Sequence, residues 1–311
     1  MTKKIRIIVA GIGGVGGYFG GLLAKKYSNS PEVEIDFVAR GGHLKQIRNN
    51  GLKIVTPNEE FTVFPNIATD CPSKIGIADH ILICTKSYDL EAMLELLKPC
   101  INENTVILPL LNGVDGDERI KTILPDTMIL NGCVYIVSRL KDWGVVENSG
   151  NIQKLYFGID NFTNDKLLLL EKLFLEADID AKLSENISAI IWEKFIYITP
   201  VATATSYYDN CLGEILDASD KREILFRLIY EVAQIAYNLG VISNKEIVEK
   251  TQRKLSLFPY ESTSSMHRDY QNHKQNTEIE TLTGYVVRAG IRHNIATPNF
   301  EEIYKILINK R

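Results

Sequence analysis

Apolar and polar positions follow two regimes along the chain. In the first, short unbroken apolar runs of strand length alternate with amphipathic stretches. Ile5, Ile7, Ile8 and Val9 form a β-branched run that suits a strand buried on both faces. A glycine turn follows, and Val15, Phe19 and Leu22 then recur at helical spacing. Residues 33–39 (VEIDFVA) predict a second strand, and Leu44, Ile47 and Arg48 a helix closed near Gly51. Residues 52–55 and 61–64 read as a small hairpin. Residues 80–85 (HILICT) and 105–111 (TVILPLL) read as two more buried strands. Residues 128–137 and 153–158 predict further strands, and 167–175 a helix with a short strand near Ile179.

From Ser184 onward the pattern is helical to the end. Ser184 is the expected N-cap of a helix carrying Ile187, Ile190, Ile191, Phe195 and Ile198. Residues 219–239 form a long amphipathic pattern closed by Gly240. Ser243 to Glu246 and Thr277 to Glu280 both read as capping boxes. Thr297 and Pro298 supply an N-cap and a first-turn proline for the last helix. There is no internal repeat and no low-complexity linker.

The glycine turn gives this alternation a chemical meaning. Gly11-Ile12-Gly13-Gly14-Val15-Gly16 stands between a strand and a helix, the context in which GxGxxG binds a dinucleotide. Gly11 permits the tight turn, Gly13 removes a Cβ that would block a pyrophosphate, and Gly16 lets helix approach strand. The pyrophosphate then sits at the positive end of the helix. The expected fold is α/β: an N-terminal Rossmann dinucleotide-binding domain over residues 1–183 and a C-terminal all-helical domain over 184–311. The bland alternative is a glycine-rich turn in another α/β protein.

In such sheets the ligand lies at the C-terminal strand ends, where Arg40, Lys86 and Asn112 fall. Each alone reads as a surface polar residue; three beside a glycine turn point to a site. An NAD-binding unit carries an acid at the end of the second strand, but here the end is Ala39-Arg40, and Asp36 comes several residues early. A guanidinium there suits a 2′-phosphate, which favours NADP over NAD. Lys194 sits on an apolar stripe, with Ile187, Ile190 and Ile191 seven, four and three residues before it and Ile198 four after. It either snorkels to water at the stripe's edge or serves as a desolvated proton donor of the kind carbonyl reduction needs.

Composition narrows the classes. The chain has 311 residues, enough for about two domains. Its net charge of −4 gives no electrostatic footprint for nucleic acid. No apolar run approaches a bilayer span of about 20 residues, and with the first strand starting so early no signal peptide is expected. Five scattered cysteines without a CxxC pair fit a reduced, cytoplasmic protein. Dispersed histidines suggest no metal. The long amphipathic helices are compatible with a homodimer or with an internal core alone.

In combination and order, these motifs resemble the ketopantoate reductases (2-dehydropantoate 2-reductases) over nearly the full length. The matching segments are the glycine turn, VAR followed by HLKQIRNNGLKI, CTKSYD with Lys86, LLNGV with Asn112, WEKF with Lys194, SSM with Ser264 and Ser265, TEIE with Glu278, and TGYVVRAG. The resemblance implies NADPH-dependent reduction of a 2-oxo acid to a 2-hydroxy acid. Under it, Lys194 is the general acid and Glu278 fixes substrate or lysine. Ser265 and Asn112 hold the substrate's polar groups, Lys86 lies near cofactor and substrate, and Arg40 takes the 2′-phosphate. Read without the family, Glu278 is an exposed first-turn residue and Ser265 a helix cap. The chain departs from the family at Ile198 and Ala202, where typical members carry asparagines, and in a segment between Ser265 and Glu278 one residue longer than usual. Those changes bear on substrate identity: ketopantoate, another branched 2-oxo acid, or no substrate at all in a cofactor-binding regulator.

Overall fold

The computed structural model describes residues 4–310, without the side chain of Asn151. It divides into two compact units, one of residues up to Leu111 together with Asp115–Ile187, the other of Asn112–Val114 with the chain from Ser188.

The first unit contains, in order, β1 (Ile5–Ala10), α1 (Gly14–Lys26), β2 (Val33–Val38), α2 (Gly41–Asn50), β3 (Leu52–Val55), β4 (Glu60–Val63), β5 (Ile67–Thr69) and β6 (His80–Ile83). There follow α3 (Leu90–Leu97), β7 (Val106–Pro109), α4 (Gly116–Ile123), β8 (Met128–Ile129), β9 (Asn131–Asp142), β10 (Val145–Gly158), α5 (Asp165–Glu176) and β11 (Asp180–Leu183). Six parallel strands form one sheet in the order β5-β2-β1-β6-β7-β8. Counted along that sheet this is 3-2-1-4-5-6, the doubly wound order whose direction reverses between β1 and β6. A second sheet, β11-β10-β3-β4, carries β9 antiparallel to β10. The apolar runs of the central strands are fully buried because helices or the second sheet cover both faces.

Helix α1 packs between the sheets, and its small residues allow it. A Cβ on Gly17 would lie 2.5 Å from Val146 of β10, and one on Gly21 2.8 Å from Ile54 of β3. The other face of the main sheet is closed by Leu90, Leu94 and Leu97 of α3 and Ile120 of α4.

The second unit is helical: α6 (Ile187–Tyr208), α7 (Leu212–Asp217), α8 (Ser219–Asn238), α9 (Ile247–Leu255), α10 (Ser265–Gln271), α11 (Thr283–His293) and α12 (Pro298–Leu307). Its core centres on the fully buried face of α8, Leu225, Leu228, Ile229, Val232 and Ile235. Glu231, buried on the same helix, accepts from the backbone N–H groups of Asn299 and Phe300 and so caps α12. Desolvation raises its pKa, and these bonds hold part of the rise back.

Several local expectations are corrected. Residues 128–137 are not one strand: β8 ends at Ile129, and β9 belongs to the second sheet and runs on to Asp142. Ser184 does not cap α6; its Oγ accepts from Asn186 N–H in the turn before the helix. Neither expected capping box forms. Asn244 Oδ1 takes the Glu246 N–H, and α9 starts at Ile247. Residues 278–282 make turns, and α11 starts at Thr283. The cap of α10 is Ser264, whose Oγ accepts from His267 N–H at 2.9 Å, while Ser265 is the helix's first residue.

Candidate active site

In the first unit the glycine turn occupies the point between β1 and β6 where the sheet order reverses. Gly11 has φ +94°, and a Cβ there would press on the Thr85 amide at 2.8 Å. Gly16 sits so close to the strand end that a Cβ would run into Gly11 O and lie 2.7 Å from Cys84 Cβ. Gly13 differs: a Cβ there would meet no atom of the described residues within 4 Å. Ile12 is buried in the core and Val15 packs against it, so the two apolar positions anchor the turn. Gly13 caps α1 without a side-chain bond, and the first turn holds no acid. The helix start is therefore open to an anion.

Arg40 follows β2 at the N-cap of α2, is largely exposed, and donates from Nη2 to Asp89 Oδ2 at 2.9 Å. Asp36 does not reach the ligand end of the sheet. It is buried on β2, accepts from Ile67 N–H at 3.0 Å and lies 3.4 Å from Arg6 Nε. Burial pushes its pKa up to about 6, against the pull of Arg6 and the Ile67 bond. Lys86 is half-buried just past β6, where it begins a short 3-10 turn, Ser87–Asp89. Beside Gly11, the buried hydroxyl of Thr85 has no hydrogen-bond partner among the described residues. An open helix start, an empty Cβ position at Gly13, an exposed guanidinium and no acid at the β2 tip fit a dinucleotide carrying a 2′-phosphate.

In the second unit Lys194 lies half-buried on α6, and its Nζ donates to Asn112 Oδ1 at 3.2 Å. Trp192, Phe195 and Tyr285 pack edge-to-face around that stretch, with centroids 5.5–6.2 Å apart. Ile198 is half-buried against the core and Ala202 is buried. Glu278 is 3% exposed, which removes the exposed first-turn reading. Thr205 and Ser206 are fully buried. Thr205 donates to Val201 O, and its hydroxyl meets that of Ser264 at 3.0 Å.

Sequence reasoning missed the device that fixes the Ser264-Ser265 corner. Buried His267 bonds Asp209 Oδ1 through Nε2 at 2.7 Å and Thr263 Oγ1 through Nδ1. The imidazole bond lowers the Asp209 pKa. Thr263 is local, but Asp209 lies 58 residues away, so no local spacing signals that bond.

Comparison with known proteins now decides the family. Residues 7–161 match the family model for ketopantoate reductase PanE/ApbA, and residues 186–311 match the model of its C-terminal part. The crystal structure of 2-dehydropantoate 2-reductase from Porphyromonas gingivalis is 35% identical, with a TM-score of 0.85 over 98% of this chain and 100% of that one. The chain belongs to the ketopantoate reductase family. An oxidoreductase named YkpB in Bacillus subtilis, described as uncharacterized, is 28% identical over 301 residues, covering 96% of this chain and 97% of its own. The 2-dehydropantoate 2-reductase of Halobacterium salinarum is 26% identical over 297 residues, covering 94% and 95%. As a ketopantoate reductase family member the protein is an oxidoreductase, and the family's hydride donor is NADPH. Among the described residues no helix is long and apolar enough to cross a membrane.

Proposed function

We propose that this protein reduces 2-dehydropantoate (ketopantoate) to pantoate with NADPH, a step of pantothenate and coenzyme A synthesis. The observation that carries the reading furthest is the lysine on an apolar helix stripe held by an amide oxygen, Lys194 Nζ to Asn112 Oδ1. Carbonyl reduction leaves an alkoxide, and a positioned ammonium supplies the proton it needs. NADPH, when bound, supplies the hydride. The turn Gly11 to Gly16 and the start of α1 hold its pyrophosphate, Arg40 its 2′-phosphate, and Lys86 and Asn112 its nicotinamide end. Lys194 is the general acid. Glu278 fixes the lysine or the substrate, and Ser265 with Asn112 holds the substrate's polar groups. We assign the enzyme to the cytoplasm, in line with its five free cysteines.

A second reading, reduction of another branched 2-oxo acid, is favoured by Ile198 and Ala202 alone. Isoleucine one turn beyond Lys194 cannot hydrogen-bond the C4 hydroxyl of ketopantoate. Thr205 is engaged elsewhere and Ser206 is buried, so Asn112 or a bridging water is left to serve that hydroxyl. A purely cofactor-binding regulator has no need of the lysine and glutamate together. The deciding measurement is NADPH oxidation with ketopantoate and with its analogue lacking the C4 hydroxyl. A ketopantoate reductase should favour ketopantoate in kcat/KM by about 5- to 150-fold, the worth of one buried hydrogen bond at about 1–3 kcal/mol. Equal values or a preference for the analogue would overturn the substrate and leave the 2-oxo-acid reductase standing.

A further inference from the structure

The turn of the β9–β10 hairpin holds a large aromatic side chain in the open. Trp143 is 64% exposed. Its ring nevertheless has a fixed seat: a Cβ on Gly42, at the start of α2, would run into ring atoms Cε3 and Cζ3 and lie 2.7 Å from Cδ2. One side of the indole therefore occupies the space a side chain at position 42 would need. The turn beneath it is pinned from several sides. Gly144 N–H donates to His43 Nδ1 at 2.9 Å, Gly144 O accepts from Lys53 N–H at 2.8 Å, and Trp143 N–H donates to Asp142 Oδ1 at 2.7 Å. Gly144 has φ +77°, which favours glycine there. Asp142, Trp143 and Gly144 thus form a rigid corner that holds the indole against α2.

The location gives this corner a meaning. Gly42 lies two residues after Arg40, and α2 begins there without a side-chain cap. In a sheet of this order the dinucleotide crosses the C-terminal strand ends, with its adenosine ribose at the tip of the second strand. Folding a tryptophan into the open costs apolar surface left in water, a cost that a flat aromatic ligand recovers.

We infer that Trp143 is the aromatic wall of the adenine subsite, stacking on the base while Arg40 takes the 2′-phosphate; this rests on the dinucleotide reading above. The wall recognises the purine, whereas Arg40 recognises the phosphate. The two contributions are separable because stacking is blind to the ribose substituent.

The test uses the two adenosine fragments, 5′-AMP and adenosine 2′,5′-bisphosphate, with calorimetric affinities and tryptophan fluorescence. Trp143→Ala should weaken both nucleotides by a common factor of about 5- to 150-fold, the worth of one stacked base, and Trp143→Phe should restore most of it. Arg40→Ala should weaken only the bisphosphate. Saturating either nucleotide should quench the fluorescence of the parent protein, whose other tryptophan, Trp192, is buried. The quench should vanish in Trp143→Phe. Unchanged affinities in Trp143→Ala, or a quench that survives in Trp143→Phe, would overturn the inference. So would a parent that binds neither nucleotide. An unchanged bisphosphate affinity in Arg40→Ala would instead overturn the NADPH reading while leaving the stack in place. A merely structural tryptophan would lower the melting temperature without moving either affinity of the folded protein.

Discussion

Alanine at Gly13 and alanine at Gly16 should fail in opposite ways, and the contrast separates cofactor binding from folding. At Gly13 a Cβ meets nothing within 4 Å, and φ −89° with ψ −152° is open to alanine. Two small terms then oppose each other in the ligand-free protein. Losing glycine at an N-cap costs several tenths of a kcal/mol, and a stiffer unfolded chain returns about 0.4–1 kcal/mol. Gly13→Ala should therefore melt within a few degrees of the parent. The added methyl fills the space that the pyrophosphate needs, and overpacking of about 1–3 kcal/mol lowers NADPH affinity by about 5- to 150-fold. At Gly16 the same methyl runs into Gly11 O and presses on Cys84 Cβ, both fixed by the strands. Gly16→Ala should lose about 1–3 kcal/mol or more of stability, a fall of about 2–4 °C in Tm per kcal/mol at this size. Thermal unfolding without ligand and calorimetry of NADPH at a temperature where both variants are folded give the two readings. A Gly13→Ala variant that unfolds many degrees early, or binds NADPH like the parent, would refute the reasoning. So would a Gly16→Ala variant as stable as the parent.

Lys194→Ala should lower kcat by about 10²–10⁴-fold, the worth of a positioned acid, with NADPH affinity nearly unchanged; near-normal turnover would mark the lysine as structural. Asp36→Asn tests the buried carboxyl of β2. Its folded pKa of about 6 exceeds the ordinary 3.8, so its contribution to stability is fullest below pH 3.8 and is lost as pH rises through 6. Asparagine keeps the acceptor for Ile67 N–H and carries no charge, and Arg6 keeps Glu34 at 2.7 Å. The variant should gain about 1–3 kcal/mol at pH 7–8 and show a flatter stability profile between pH 4 and 6. An unchanged profile from urea unfolding would sink that account.

The parallel sheet was legible because each central strand is buried on both faces and so reads as an unbroken apolar run. The β9–β10 hairpin was not, for the opposite reason. Its outer half carries Arg139 and Lys141, which both pair with Glu147 at the surface rather than filling a core. Only residues 128–137 of β8 and β9 hold enough apolar character to suggest a strand. The turn at Trp143 and Gly144 is set by His43 and Lys53, which lie 101 and 91 residues before Gly144. The two false capping boxes have a common cause: side-chain spacing alone does not say where a helix starts. Asn244 competes for the Glu246 amide, and residues 278–282 turn before α11 begins.

The candidate site divides along the same physical line. The placement of the glycine turn and of Arg40 was legible because it follows from local backbone and from the end of one strand. Lys194 stood out because a charge on an apolar stripe breaks a helical period. Glu278 carried no such signal. Its neighbours suggest an exposed first helical turn, whereas the folded chain leaves it 3% exposed, on a turn before α11. Burial of a carboxyl beside a helix start is decided by elements far apart in sequence, so only its match to a family motif singled it out. The same limit applies to Ile198 and Ala202. The sequence shows that two hydrogen-bonding groups are missing, but which neighbour replaces them depends on tertiary packing. Of the hydroxyls that follow on α6, that of Thr205 is held by Val201 O and Ser264, and that of Ser206 is fully buried. On the proposed reading Asn112 meets two demands with one amide: its Oδ1 accepts the hydrogen bond that Lys194 Nζ donates, and its Nδ2 would serve the substrate. If ketopantoate is the substrate, Asn112→Ala should therefore cost more than a loosened lysine alone. It should raise KM for ketopantoate and lower kcat together, whereas for the analogue lacking the C4 hydroxyl it should lower kcat with little change in KM. The same KM shift for both compounds would show that Asn112 serves the lysine and not that hydroxyl.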